Sequence, residues 1–200
     1  YNLISAPVNM PLKDYRKDSP KMDWLIKQLS GNPYVVCFDS NDQDHEKSCY
    51  SYLMFDPIMV LKEKDSLFFI ENCHASETLH FSTFELAFQE LNAHSERLGV
   101  SDLAPFCGGI VAALTYEFHT VLSTIPESLK ASKGDGFPRC FFGLYDRVII
   151  VDHTTGKKWF VHHDYRQGSH HLPDYFICDD LASFKVKAHP FEIIKYPDYL

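Results

Sequence analysis

Hydrophobic side chains along this chain follow two rhythms. β-Branched and aromatic runs over residues 34–38, 50–55, 58–61 and 67–70 are separated by the turn formers Asn41-Asp42, Asp56-Pro57 and Lys64-Asp65-Ser66, and together they predict a β-meander. Runs over 108–114, 140–144, 147–152 and 158–162 predict further strands, the last two joined across His153-Thr154-Thr155-Gly156. The second rhythm is helical. Ser19-Pro20 reads as an N-cap and first helical residue, with Met22, Leu25, Ile26 and Leu29 on one face and Gly31 as the stop. Phe84, Ala87, Phe88, Leu91 and Leu98 keep helical spacing up to Gly99, behind a capping box of Ser82 and Glu85 and a staple of Phe81 and Leu86. Strands in runs with a few inserted helices predict an α+β fold with largely antiparallel β-sheets.

Composition narrows the class. With 45% hydrophobic residues, sixteen Phe and eleven Tyr in 200 residues, the chain is a globular one with a real core. Its formal net charge is -8 and its 19 Lys and Arg are scattered, so it carries no footprint for nucleic acid or an anionic membrane. No apolar run approaches the roughly 20 residues of a bilayer span, and the first residues lack a signal-peptide layout, which predicts a cytoplasmic protein. The six cysteines form no C-x-x-C pair and read as free thiols in apolar runs. Residues 130–136 and 166–173 read as surface loops.

Several segments could carry chemistry. Phe38-Asp39-Ser40 ends a strand with two short polar side chains, able either to cap a turn or to receive an ammonium or amide group. Tyr50 and Tyr52 alternate on a strand and so project together, as core packing or as two walls for a flat ring. Gly108-Gly109 before a strand permits positive φ and close backbone approach. Asp152 and His153 lie at a hairpin turn, where hydrogen bonding within the turn is expected of them and acid–base chemistry is not. His162-His163, His170-His171 and Cys178 match no zinc layout, since adjacent strand residues face opposite ways. No self-contained catalytic signature is present, so no catalytic residue and no metal ligand is predicted.

Cys37-Phe38-Asp39-Ser40, the 50–57 segment, Phe106-Cys107-Gly108-Gly109-Ile110-Val111, and Gly143-Leu144-Tyr145-Asp146 with Val151-Asp152-His153 together resemble the amino-terminal domain of the aminodeoxychorismate synthase component I and anthranilate synthase component I family. The resemblance implies a tryptophan pocket between two β-sheets, lined by Phe38, Asp39, Ser40, Tyr50, Tyr52, Gly108 and Gly109. The chain departs from the family at Cys49, where Arg is common, at Ala112 and Ala113, where a Gly is usual, and at His119 and Ser123.

Residues 192–200 resemble the entry to the family's chorismate-binding catalytic domain. The resemblance therefore implies an amino-terminal domain over 1–195 and the start of a catalytic domain over 196–200. The residues for catalysis and Mg2+ would lie in the part beyond, and the 200-residue chain alone would be inactive. The implied partners are that catalytic domain, a glutamine amidotransferase subunit that supplies ammonia, and tryptophan. Asp39 before Ser40 resembles aminodeoxychorismate synthase, which makes 4-amino-4-deoxychorismate for folate; anthranilate synthase, or a free-standing binding module without catalysis, is the alternative. Removal of a catalytic domain would uncover apolar faces of the 50–55 and 108–114 strands.

Overall fold

The computed structural model describes residues 26, 27, 29, 31–40, 49–64, 67–122, 138–165 and 182–186. Among the described residues ten strands form two five-stranded sheets. The first sheet holds β1 (Val36–Phe38), β2 (Tyr50–Met54), β8 (Arg147–Asp152), β9 (Lys158–His163) and β10 (Ala182–Val186), in that spatial order. The second has the order β5 (Glu77–Phe81), β4 (Leu67–Asn72), β3 (Met59–Lys64), β7 (Cys140–Tyr145), β6 (Gly109–Leu114). All neighbouring pairs are antiparallel except β9 with β10. Helix α1 (Phe84–Ser95), a 3-10 turn (Tyr116–Phe118) and the short α2 (His119–Leu122) join them in an α+β fold.

The expected meander is corrected at Asp56-Pro57. β2 and β3 do not pair; the chain leaves the first sheet after Met54 and enters the second at Met59. Asp56 takes φ 54, and Ile58 N–H donates to Leu144 O at 2.7 Å, which delivers β3 beside β7. The return passes through Asp146, between β7 and β8. Arg147 donates from Nη1 to Asp56 Oδ2 at 2.9 Å, tying the two crossings together. β5 was not expected: its residues are mostly exposed, because it is an edge strand with one neighbour.

Helix α1 starts one residue later than the capping box predicts. Thr83 is its N-cap, accepting from Leu86 N–H at 3.4 Å, so the Ser82–Glu85 box does not close. The helix stops at Ser95, and Leu98 reaches the core from the following turn. Its inner face meets the second sheet through a group of rings. Phe84 lies 5.1 Å from Phe118 and 5.4 Å from Phe142, and Phe88 lies 5.5 Å from Phe142. Around them Leu61, Ile70, Leu91 and Leu144 are fully or almost fully buried. Of the residues expected to form the amino-terminal helix, Ile26, Lys27 and Leu29 are described and helical, the others lying outside the described residues; Ile26 and Leu29 pack on Leu53, Phe55, Ile149 and Phe160 of the first sheet.

A separate cluster joins the sheets. Met54, Val148, Ile150 and Val161 of the first sheet meet Val111 and Tyr145 of the second, with Ala104 and Cys107 from the segment before β6. In the 50–55 strand Ser51 and residues 53–55 are buried while Tyr50 and Tyr52 are half-buried, and Ala112, Ala113 and Leu114 of β6 are exposed. Gly143 serves this packing: a Cβ there would lie 2.5 Å from the ring of Tyr145, which is fully buried and donates from its phenol to Tyr34 O at 2.7 Å.

Candidate functional site

Strand alternation puts one set of predicted site residues on one face. Phe38 stands opposite Tyr52 in register, and Tyr50 is two residues along β2, so all three side chains leave the same side of the first sheet. The Tyr50 and Tyr52 rings stack with centroids 6.1 Å apart, and Phe106 meets Tyr52 edge-on at 5.8 Å. Phe38 is 51% exposed, which leaves one side of this aromatic group open to solvent. Burial raises the Tyr52 phenol above its ordinary range, opposed by a backbone hydrogen bond at Phe106. The surface suits a flat apolar ring.

Asp39 and Ser40 engage the other face. Ser51, between the two tyrosines, points away from them and is fully buried. Its hydroxyl donates to Asp39 Oδ1 at 2.8 Å and accepts from Ser40 N–H at 2.9 Å, and His153 Nε2 lies 2.7 Å away. A hydroxyl has a single proton, and here Asp39 receives it; His153 must then donate from Nε2. The arrangement saturates Ser51, so the Asp, Ser and His side chains form a structural junction and not an activated nucleophile. The junction fixes the end of β1 to β2 and to the β8–β9 turn. Asp152 is used within that turn, accepting from Thr154 N–H at 2.8 Å and from the Thr155 hydroxyl at 2.7 Å. Burial opposes its charged form, but these hydrogen bonds prevail and hold its carboxyl below the usual range.

Gly108 and Gly109 have φ of 131° and 134°, a region that side chains disfavour. The close approach at Gly108 is to His163: a Cβ on Gly108 would fall 2.5 Å from Nε2. That Nε2 lies 2.6 Å from Cys107 O. Ser51, Phe106, His153 and His163 are thus the contributors that sequence reasoning left out of the site. Alternation with Tyr50 and Tyr52 signalled the direction of Ser51; nothing local signalled the rest.

Elsewhere, a cavity of about 230 Å³ is lined by residues including Tyr34, Phe55, Asp56, Glu71 and Arg147. Its charges are mutually paired. Lys62 donates to Glu71 at 2.7 Å and to the Tyr34 phenol at 2.6 Å, and the Lys62 contact holds the Glu71 carboxyl down. Among the described residues no group of three or more His, Cys, Asp or Glu is placed to hold a metal ion. His162 and His163 face opposite sides, His162 stacking on Phe160 at 5.6 Å, while His170, His171 and Cys178 lie outside the described residues. The five described cysteines are free thiols; burial pushes the Cys140 thiol up to about 12. No helix among the described residues is long and apolar enough to cross a membrane.

No family model matches the chain. Its sequence is similar to anthranilate synthase component 1 of Methanothermobacter marburgensis, 26% identical over 136 residues, which is 68% of this chain and 26% of that protein. The homologous protein of Methanothermobacter thermautotrophicus is 29% identical over 123 residues, 62% of this chain and 24% of its own length. A solved structure, anthranilate synthase component I from Streptococcus pneumoniae TIGR4, aligns with TM-score 0.42 and 18% identity over 57% of this chain and 24% of that one. The chain is thus a sequence relative, at low identity, of anthranilate synthase component 1 proteins, and it spans about a quarter of the length of the curated relatives it matches.

Proposed function

We propose that this chain is the ligand-pocket portion of a longer component I-type synthase that aminates chorismate. The observation that supports the reading is the sequence shared with two anthranilate synthase component 1 proteins over 68% and 62% of the chain. On this reading residues 1–195 form the amino-terminal domain and 196–200 begin the catalytic one, where the catalytic residues and Mg2+ reside. A glutamine amidotransferase partner supplies ammonia, the whole protein is cytoplasmic, and the 200-residue chain alone is inactive.

The pocket is the aromatic surface of Phe38, Tyr50 and Tyr52 with the Gly108-Gly109 segment beside it, and its ligand is tryptophan. A tryptophan with its indole laid on the Tyr52 side would reach Asp39 and Ser40 with its α-ammonium around the end of β1, since the Asp39 carboxylate is held on the opposite face by Ser51. With Cys49 where relatives of this type commonly have Arg, the ligand's carboxylate has no cation from that position.

Two products are open to such an enzyme. Asp39 inclines the reading to 4-amino-4-deoxychorismate, formed without loss of pyruvate; the names of the two relatives favour anthranilate, whose formation also eliminates pyruvate. Genetic complementation separates them. The full-length gene should restore growth of a bacterium lacking component I of one synthase, without p-aminobenzoate in the first case or without tryptophan in the second. Rescue of neither strain by a well-expressed protein would overturn the proposal in favour of a binding module.

A further inference from the structure

The imidazole of His163 sits at the meeting of the two sheets. It ends β9 of the first sheet, its backbone N–H donates to Asp146 O at 2.9 Å, and its ring lies against Gly108 at the entry to β6 of the second. A carbonyl oxygen only accepts, so the contact of 2.6 Å with Cys107 O requires a proton on Nε2. Nδ1 is buried with no hydrogen-bond partner among the described residues, in a residue only 1% exposed. A ring that merely filled space here would be better replaced by an apolar one, because an unmet buried polar atom is destabilising. The asymmetry points to the one bond the ring does make. Burial lowers the tendency of His163 to protonate, against the Cys107 bond and Asp146, which favour the charged form; Nε2 keeps its proton for the bond in either form.

The bond acts on the pocket through three consecutive residues. Cys107 follows Phe106, whose ring stands edge-on to Tyr52, and precedes Gly108, whose missing Cβ makes room for the imidazole. We propose that His163 is a positioning residue: its Nε2–H holds the Cys107 carbonyl, seats residues 106–109 and so presents Phe106 to Tyr52 as one wall of the ligand site. The ligand arm rests on the pocket reading above; the seating of the segment does not.

The test uses the intact protein with His163→Gln, which keeps an N–H donor near the Nε2 position, and His163→Leu, which keeps bulk alone. Hydrogen exchange of peptides spanning 106–109, referenced to peptides from β8, should quicken about fivefold to tenfold in the Leu variant, the equivalent of one net hydrogen bond, and stay near wild type in the Gln variant. Tryptophan affinity by calorimetry should fall by a similar factor with Leu and be retained with Gln. Equal behaviour of the two variants in exchange would overturn the proposal. A wild-type protein that binds no tryptophan would remove the pocket reading while the exchange result still decided the anchor. If neither variant folds, nitrogen NMR of the wild-type histidines decides it: a neutral His163 protonated at Nε2 is expected, and the Nδ1–H tautomer would contradict the proposal.

Discussion

Ser51→Ala removes one oxygen and strands three groups. The hydroxyl donates to Asp39 at 2.8 Å, accepts from Ser40 N–H at 2.9 Å and contacts His153 at 2.7 Å. A neutral hydrogen bond contributes about 1 kcal/mol net and one to a charged group about 1.5–3 kcal/mol. Asp39 is exposed and His153 only half-buried, so water replaces part of what is lost, and the expected destabilisation is about 2–4 kcal/mol. With a urea slope of about 2 kcal/mol per molar, the unfolding midpoint should drop by about 1–2 M at constant slope. A double-mutant cycle with Asp39→Ala isolates the carboxylate contact and should return a coupling of about 1 kcal/mol or more. A Ser51→Ala midpoint within about 0.2 M of wild type, with no coupling to Asp39, would refute the junction and with it the fixed end of β1.

Gly143→Ala drives a Cβ into the ring of the fully buried Tyr145, and should destabilise by about 1–3 kcal/mol in thermal unfolding; no loss would show that the ring lies elsewhere. Arg139→Met leaves Glu63, whose side chain is 4% exposed, without the guanidinium that donates from Nε at 2.6 Å. It should cost about 2–4 kcal/mol, and adding Glu63→Met should recover part of it in chemical denaturation. Asp152 has a folded pKa held below its unfolded value, so its contribution is present above about pH 4 and is lost as pH falls through the folded pKa. Asp152→Asn should therefore flatten the acid limb of the stability profile and leave its dependence above about pH 6 unchanged.

Local pattern carried most strands to within a residue or two, because β-branched and aromatic runs mark half-buried or buried pleats wherever they pair. Pairing itself was not legible where it is non-local. Asp56-Pro57 announces a turn, but its destination is set by β7, far along the chain, so a crossing between sheets reads as a hairpin. β5 was missed since an edge strand with exposed Glu77, Thr78 and His80 lacks the apolar signal. At Ser82-Thr83 two residues could cap the helix, and the following Phe84 and Phe88, packing on Phe142, select the second. In the candidate site, alternation alone put Tyr50 and Tyr52 on one face. The Ser51–His153 contact joins residues 102 apart in sequence, and the His163–Cys107 contact joins residues 56 apart; each depends on strands that only the assembled sheets bring together.

The most direct test of the account is amination of chorismate by the purified full-length protein, supplied with ammonium and Mg2+ so that no amidotransferase is needed. Chorismate should be consumed with appearance of 4-amino-4-deoxychorismate, or of anthranilate with an equal amount of pyruvate, while the 200-residue chain alone consumes none. A folded full-length protein that leaves chorismate unchanged, or turnover by the 200-residue chain that is abolished by substitutions within it, would contradict the account.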